Sequence, residues 1–474
     1  MKWKGINGER GLSCLLAVLS FISIFLMSIP ARIWGEVGYI KGEFVRITFT
    51  RDEVLKYPSM DREGHMVVYR SEKVDTKGEK RSSVEVISPG DKKPKLLFEE
   101  GRVRAPKPMD GHFLILGTKP PVISGDGKKV VFSLSLGAPL FIDDHYLGVV
   151  NTDGTDFRVI EIVNEEIKKG DFEKWGFTDN KWRTISQYRI TDDGKTIACL
   201  VKGHMGGRKV STTSAIVLVS SDGSSQKTLI APRLEGEGWV WDGYPRNPFL
   251  GGGWIFDLTG DGKGLIFGAQ SGPERTDYDI YFMEIDGKKI KKLTDIKDRW
   301  FVRGAISSDG KVFCFFYSGK KLNGIGTYIL DSGMDKPIYL RSRIIDRVSF
   351  EAISGNGKRV FYRASEGGLA FTDLVNGNEG LIKQEGLNGP NGLREEVSFP
   401  SIPSFWSPRF VSMRGDKLLL EAYLGTKDKK EIFLLRLPVY EKKEIKRCSV
   451  CGRVMEEDWK YCPFDGTSLI KGKR

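Results

Sequence analysis

The chain has 474 residues, a formal net charge of 74 − 62 = +12, and 40% hydrophobic, 11% aromatic and 29% charged residues, a profile that excludes a disordered chain. Glycine supplies 56 of the 474 residues and proline 20; glycine is well above its typical ~7%, so collagen and low-complexity linkers are excluded and many tight turns are favoured. Bases and acids alternate through residues 32–440 instead of forming the basic run that tracks phosphates, which argues against nucleic acid as a partner and for a solvated basic surface.

The N-terminal segment has no charged residue from Gly11 to Ala31, and LLAVLSFISIFLM at 15–27 follows the basic Lys2, Lys4 and Arg10. This is the pattern of a targeting segment. Its apolar core suits a cleaved signal peptide ending at Ile29-Pro30-Ala31, while the uncharged run of 21 residues, at ~1.5 Å per residue, also suffices for a retained anchor. Residues 1–31 are therefore a signal peptide or a membrane anchor. The chain is expected to be exported, in a periplasmic or other extracytoplasmic place, touching the membrane through this segment if it is uncleaved.

From residue 60 onward one short pattern recurs: Ser or Thr, any residue, Asp or Asn, Gly, usually Lys, then an apolar run. It reads SGDGKKVVF at 124–132, TDDGKTIACL at 191–200, TGDGKGLIF at 259–267, SSDGKVFCFF at 307–316 and SGNGKRVFY at 354–362. Degraded copies are MDREGHMVVY at 60–69 and SMRGDKLLL at 412–420. Asp-Gly or Asn-Gly between apolar runs is the strongest short-range hairpin signal, because the turn needs a positive φ. A second β-rich run follows each copy, as in SVEVISPG at 83–90 and DIYFMEIDG at 279–287, and a further short strand follows several. Each unit is thus a four-stranded sheet with two apolar faces, which must stack on neighbours.

Closing seven such sheets radially gives an all-β fold, a β-propeller over residues 32–438, with seven blades favoured and six or eight as alternatives. The turn glycines Gly64, Gly127, Gly194, Gly262, Gly310, Gly357 and Gly415 are 63, 67, 68, 48, 47 and 58 residues apart. A minimal blade needs roughly 40–50, so the first three units and the sixth carry insertions. FVRITF at 44–49 precedes the first hairpin and is expected to pair with the last sheet and close the ring.

Aromatic residues gather in those insertions. Trp175, Phe177 and Trp182 precede the third hairpin, and Trp239, Trp241, Tyr244 and Phe249 crowd the Gly/Pro-rich stretch GWVWDGYPRNPFLGGG before the fourth. Trp300-Phe301 and Phe405-Trp406 occupy corresponding places. These residues either pack blade on blade or raise an aromatic rim at the channel mouth, and Trp175, Trp182, Trp239, Trp241, Tyr244, Trp300 and Trp406 are the candidate binding residues for a protein or peptide partner.

No catalytic motif is present among the four histidines, and no G-x-S-x-G elbow or P-loop occurs. Asp143-Asp144-His145 forms one compact polar trio, best read as a solvated connection. Ionisable residues on the expected innermost strands, Arg189, Asp257, Arg303, Glu351 and Arg409, are scattered. The leading reading is a non-enzymatic binding scaffold; the alternatives are an enzyme with its site in the channel, lactonase- or lyase-like, or a polysaccharide-binding propeller. Cys199 and Cys314 lie in second strands two blades apart and read as buried small hydrophobes, not a disulfide.

After a basic linker at 439–447, residues 448–474 contain CSVCGRVMEEDWKYCPFDGTSL. Cys448 and Cys451 form one C-x2-C knuckle, and Cys462 with Asp465 forms a second in which Asp stands for the fourth Cys. Two such turns complete a tetrahedron for zinc, closed and structural; the alternatives are a metal-free vestige packed by Trp459, Tyr461 and Phe464, or a disulfide between two of the three thiols. Asp465 is either the fourth ligand or the cap of its turn.

The repeated turn and following strand resemble the TolB-type, WD-repeat-like β-propeller family, and the C-terminal knuckles resemble a short zinc ribbon. The first resemblance covers roughly residues 50–438 and implies a propeller placed outside the cytoplasm that holds proteins, peptides or envelope components. The chain departs from that family's pattern: Gly, Ser, Asp or Met replaces the usual Pro after the Ser or Thr, and the first and last copies are degraded.

Overall fold

A computed structural model describes residues 38–41, 43–48, 53–74, 76–103, 113–136, 146–163, 184–204, 212–230, 233–235, 238–241, 244–245, 255–270, 278–287, 289–294, 299–319, 324–330, 338–340, 349–363, 369–374, 379–383, 411–423, 430–437, 446–447 and 454–455. Among these there is strand and turn but no α-helix.

The repeated turn is a small hydrogen-bonded device. The first hydroxyl donates to the carboxylate or amide oxygen two residues on, as in Ser124 Oγ to Asp126 Oδ1 at 2.6 Å and Thr259 Oγ1 to Asp261 Oδ1 at 2.7 Å. It also accepts the backbone N–H five residues on, Lys129 to Ser124 at 3.0 Å and Val312 to Ser307 at 3.0 Å. The Asp oxygen takes the N–H of the Lys that follows Gly, at 3.0 Å for both Lys195 and Lys263. All seven turn glycines have φ between 67° and 72°, a region closed to most L side chains.

Seven antiparallel sheets of four-stranded plan follow, each a blade. Blade 1 is Glu53–Met60, Val67–Val74, Lys80–Ile87 and Lys95–Glu99. Blade 2 has an innermost strand in two pieces, Leu114–Leu116 and Val122–Ile123, followed by Lys129–Leu136, Tyr146–Asn151 and Arg158–Glu161. Blade 3 is Thr184–Ile190, Thr196–His204, Thr212–Ser220 and Gln226–Ile230, and blade 4 is Phe256–Leu258, Gly264–Gln270, Tyr278–Glu284 and Ile290–Lys292. Blade 5 is Arg299–Ile306, Val312–Gly319, Gly324–Ile329 and Ile338–Leu340, and blade 6 is Ser349–Ile353, Arg359–Arg363, Leu369–Asp373 and Glu379–Lys383. Blade 7 is Lys417–Tyr423 and Lys430–Arg436, with Val411 bridging to Leu418 on the inner side.

The two-residue strand period sends alternate side chains to the two neighbouring blades. Val131 joins a buried cluster shared with blade 3, whereas Val130 and Phe132 join one shared with blade 1. Likewise Cys314 faces blade 6 while Phe313 and Phe315 face blade 4. Each fully buried Val, Leu or Phe contributes roughly 1.5–3 kcal/mol. Cys199 and Cys314 are buried free thiols, as the sequence suggests, and burial pushes the Cys314 thiol up to about 12 although Thr327 lowers it in part.

The ring closes as expected, and then goes further. Glu43–Arg46 pairs antiparallel with Lys430–Arg436 as the outer strand of blade 7. The preceding Gly38–Lys41 pairs in parallel with Glu379–Lys383 as a fifth strand of blade 6. The N-terminal stretch therefore stitches two blades. At this seam Glu431, with no exposure, accepts from Thr48 Oγ1 at 2.6 Å and from Arg46 Nη2 at 3.0 Å. Thr48 Oγ1 also accepts from Ile432 N at 2.9 Å.

Part of the basic surplus is structural rather than merely solvated. Lys95 donates to the Asp153 carbonyl, Arg158 to the Asp222 carbonyl at 3.1 Å, and Lys227 to the Asp286 carbonyl at 3.2 Å. In each case the outer strand of one blade reaches the last turn of the next.

Candidate functional site

The strand directions give the propeller two unlike faces. Each innermost strand runs toward its Gly turn, the second returns, and the third and fourth repeat the excursion, so the turns that join them lie on one face; blade 7, whose outer strand is Glu43–Arg46, has the Gly turn alone. The strand ends that flank residues 137–145, 164–183, 205–211, 231–254, 271–277 and 384–410 all lie on the opposite face.

The turn face is closed around the axis by backbone hydrogen bonds that pass through all seven tips. Arg62 N donates to Gly125 O at 3.0 Å, Asp126 N to Asp192 O at 2.8 Å, Asp192 N to Gly260 O at 2.7 Å, and Gly260 N to Ser308 O at 2.8 Å. The series continues through Asp309 N to Gly355 O at 3.2 Å and Asn356 N to Met413 O at 2.8 Å, and Met413 N returns to Arg62 O at 2.7 Å. Several donors, Arg62, Asp192, Gly260 and Met413 among them, are the residue after the first turn position. A proline there has no N–H to give, which is a physical reason for this chain's departure from the resembling pattern.

The same ring leaves little room at the axis. The Asp192 carboxylate, which pairs with Arg62 Nη1 at 3.4 Å, lies where a Cβ on Gly125 or on Gly260 would fall. Only glycine lets the two backbones approach it.

The channel wall is irregular. Innermost strands of blades 1, 3, 5 and 6 each carry a bulge, at Tyr57-Pro58, Ser186, Val302 and Glu351. At the first of these Tyr57 takes φ 58° and donates its N–H to the buried Glu421 of blade 7 at 3.0 Å. Of the scattered innermost ionisable residues, the structure brings Arg189 and Asp257 together at 3.0 Å. Asp257 also accepts from Ile306 N at 3.1 Å, so one carboxylate ties three successive blades. Glu351 and Arg303 lie on innermost strands of other blades, and Arg409 lies outside the described residues.

Of the aromatic candidates, Trp239, Trp241, Tyr244 and Trp300 fall on described residues, between or at strand ends that lie on the opposite face. The stretch 231–254 contains an extra three-stranded sheet, Arg233–Glu235, Gly238–Trp241 and Tyr244–Pro245, which is no part of a blade. In its register Trp239 stands opposite Leu234, and Trp241 opposite Tyr244. By that register and the two-residue period, these four positions share one face of the small sheet. The sequence reading treats this stretch as a Gly/Pro-rich connection; Trp241-Asp242-Gly243-Tyr244 carries the same Asp-Gly hairpin signal as the blades, and the crowding of Gly and Pro around it hides the strands. Trp300 is the second residue of Arg299–Ile306, at the end of that strand that starts on this face. Trp175, Trp182 and Trp406 lie outside the described residues, as do Asp143, Asp144, His145 and residues 1–37. No helix among the described residues is long and apolar enough to cross a membrane.

The proposed metal ligands Cys448, Cys451, Cys462 and Asp465 also lie outside the described residues. Lys446–Arg447 pairs antiparallel with Val454–Met455, so the C-x2-C sequence is bracketed by a two-stranded ribbon.

No protein-family model matches the chain, and no curated protein matches it in sequence. Among solved structures it is similar to an oligogalacturonate lyase from Vibrio parahaemolyticus, at 11% identity and TM-score 0.50 over 85% of this chain and 99% of that one. It is also similar to the β-propeller domain of the Trilobed protease from Pyrococcus furiosus, at 12% identity and TM-score 0.48 over 82% and 98%. A TolB structure from Agrobacterium tumefaciens shares 15% identity at TM-score 0.35 over 61% and 84%. At these identities the likeness is one of fold alone.

Proposed function

We propose that the chain is an exported or membrane-anchored, non-enzymatic propeller that holds a protein or peptide partner on its insertion face, with a small zinc-stabilised C-terminal appendage. The observation that carries this reading is the extra sheet at 233–245, which sets Trp239, Trp241 and Tyr244 at neighbouring register positions on an element the blades do not require. Large amphipathic aromatics are what hot spots favour. The turn face, by contrast, spends its backbone groups on its own ring.

The test is capture of partners from native envelope extract by the full chain and by its Trp239→Ala/Trp241→Ala variant. Partners recovered by the first and lost by the second, at unchanged melting temperature, support the reading. Equal recovery by both, or a collapse of stability in the variant, overturns it. For the appendage, one zinc per chain is expected by metal analysis; no zinc, with Cys448, Cys451 and Cys462 freely titratable, overturns that part.

A further inference from the structure

A groove of about 800 Å³ lies along blade 1, bordered by Ile47 and Thr48 at its seam with blade 7. The groove floor is polar and internally satisfied. Glu85, 3% exposed, accepts from Tyr69 Oη at 3.1 Å and Ser83 Oγ at 3.0 Å, and Lys73 joins it to Glu53.

The rim differs in charge and character. Lys92, Lys93 and Arg81 stand exposed along it, and among the described residues neither Lys92 nor Lys93 makes an ion pair. Val74 and Leu96, 59% and 43% exposed, also line the groove. They are two of the four large hydrophobic residues that the described residues leave open to solvent. Along its outer side lies Lys95–Glu99, which pairs with Lys80–Ile87 and is the last strand of its sheet. Cations, exposed apolar side chains and an open strand edge thus meet in one place.

We propose that this groove takes an extended acidic segment of another polypeptide, added as a strand along Lys95–Glu99. Its carboxylates would meet Lys92 and Lys93, and its apolar side chains Leu96. Strand addition takes affinity from backbone hydrogen bonds and specificity from alternate side chains, and rim charges select the partner's sign. An anionic polysaccharide would meet the same charges but has no row of amides to complete the edge. This site is independent of the tryptophan-bearing sheet, so the two readings can fail separately.

The experiment is fluorescence anisotropy of the full chain with a labelled Glu-Val alternating heptapeptide. Comparison probes are its Lys-Val counterpart, the Glu-Val peptide N-methylated at alternate amides, and a uronic-acid oligosaccharide of equal charge. Expected are saturable binding of the Glu-Val peptide and none of the Lys-Val peptide. Weakening of about tenfold or more is expected both on N-methylation and in Lys92→Glu/Lys93→Glu at unchanged melting temperature. Binding in Trp239→Ala/Trp241→Ala should equal that of the unaltered chain. Absence of Glu-Val binding overturns the proposal, as does equal binding of the N-methylated peptide or of the oligosaccharide, which would make the groove a polyanion patch.

Discussion

The joint between blades 2 and 3 and the seam between blades 7 and 1 solve the same packing problem with opposite chemistry. The first is a cluster of Val, Ile and Leu with Tyr188 and Cys199, all buried. The second adds to its apolar residues a fully buried glutamate held by Thr48 and Arg46, and a second, Glu85, held by Tyr69 and Ser83. Blades 2 and 3 are consecutive in the chain, whereas the seam joins residues more than 380 apart in sequence. Burial of its face already holds a strand in register, and a buried carboxylate adds partners that are met in only one register. The closing seam carries buried carboxylates, whereas the joint between blades 2 and 3 is mainly apolar, with Tyr188 Oη accepting from Ser133 N and donating to the Pro120 carbonyl.

That contrast can be broken from either side. Replacing Glu431 by Ala should cost about 4 kcal/mol, because it strands the Arg46 cation and the Thr48 hydroxyl at the seam. Urea unfolding measures it, and a loss near zero would mean the seam is held by its apolar residues alone. Leu147→Ala in the other joint should cost about 3 kcal/mol through the cavity it leaves, with a penalty insensitive to salt.

The axial ring sharpens the comparison. Gly260→Ala should cost about 2 kcal/mol through overpacking against Asp192, and Asp192→Ala should recover most of it. A double-mutant cycle without coupling would place the clash elsewhere.

The smallest effect is a matter of pH. Burial pushes the Asp61 carboxyl above its ordinary value, against the hydrogen bonds from Met66 and His65 that lower it. A raised folded pKa favours the protonated form, so this contribution is full below the unfolded value and is lost as pH rises through the folded one. Asp61→Asn, which keeps an acceptor for both N–H groups, should stabilise the chain at pH 7 by about 1 kcal/mol or less. Thermal melts should show the gain vanishing at acid pH. The regular turns behave in the opposite sense: burial acts against Asp193 and Asp261, but hydrogen bonds from the preceding Thr and following Lys outweigh it and lower both. Their contribution is present at neutral pH and lost on acidification through the lowered values.

The turns, the strands beside them and the closing role of residues 44–46 were legible because each rests on local chemistry: a hydroxyl, a carboxylate and a glycine within five residues, or an apolar run without a partner. The extra sheet at 233–245 was not, since its strands are too short for periodicity to register. Nor was the second stitch by Gly38–Lys41, because GYIK has no pattern that names a parallel partner more than 300 residues away. Arg189 and Asp257 looked scattered because their meeting depends on blade stacking, which brings positions 68 apart within 3.0 Å.

Sequence alone determined that the chain folds as repeated Gly-tipped sheets, apolar on both faces and therefore obliged to stack, since those instructions are written within each unit. Tertiary structure alone decided that seven tips join hands around the axis, that the two ends of the cylinder differ, and that a buried glutamate locks the last joint. Those features exist only where distant stretches meet, because hydrogen bonds and ion pairs act over a few ångströms of space and take no account of distance along the chain.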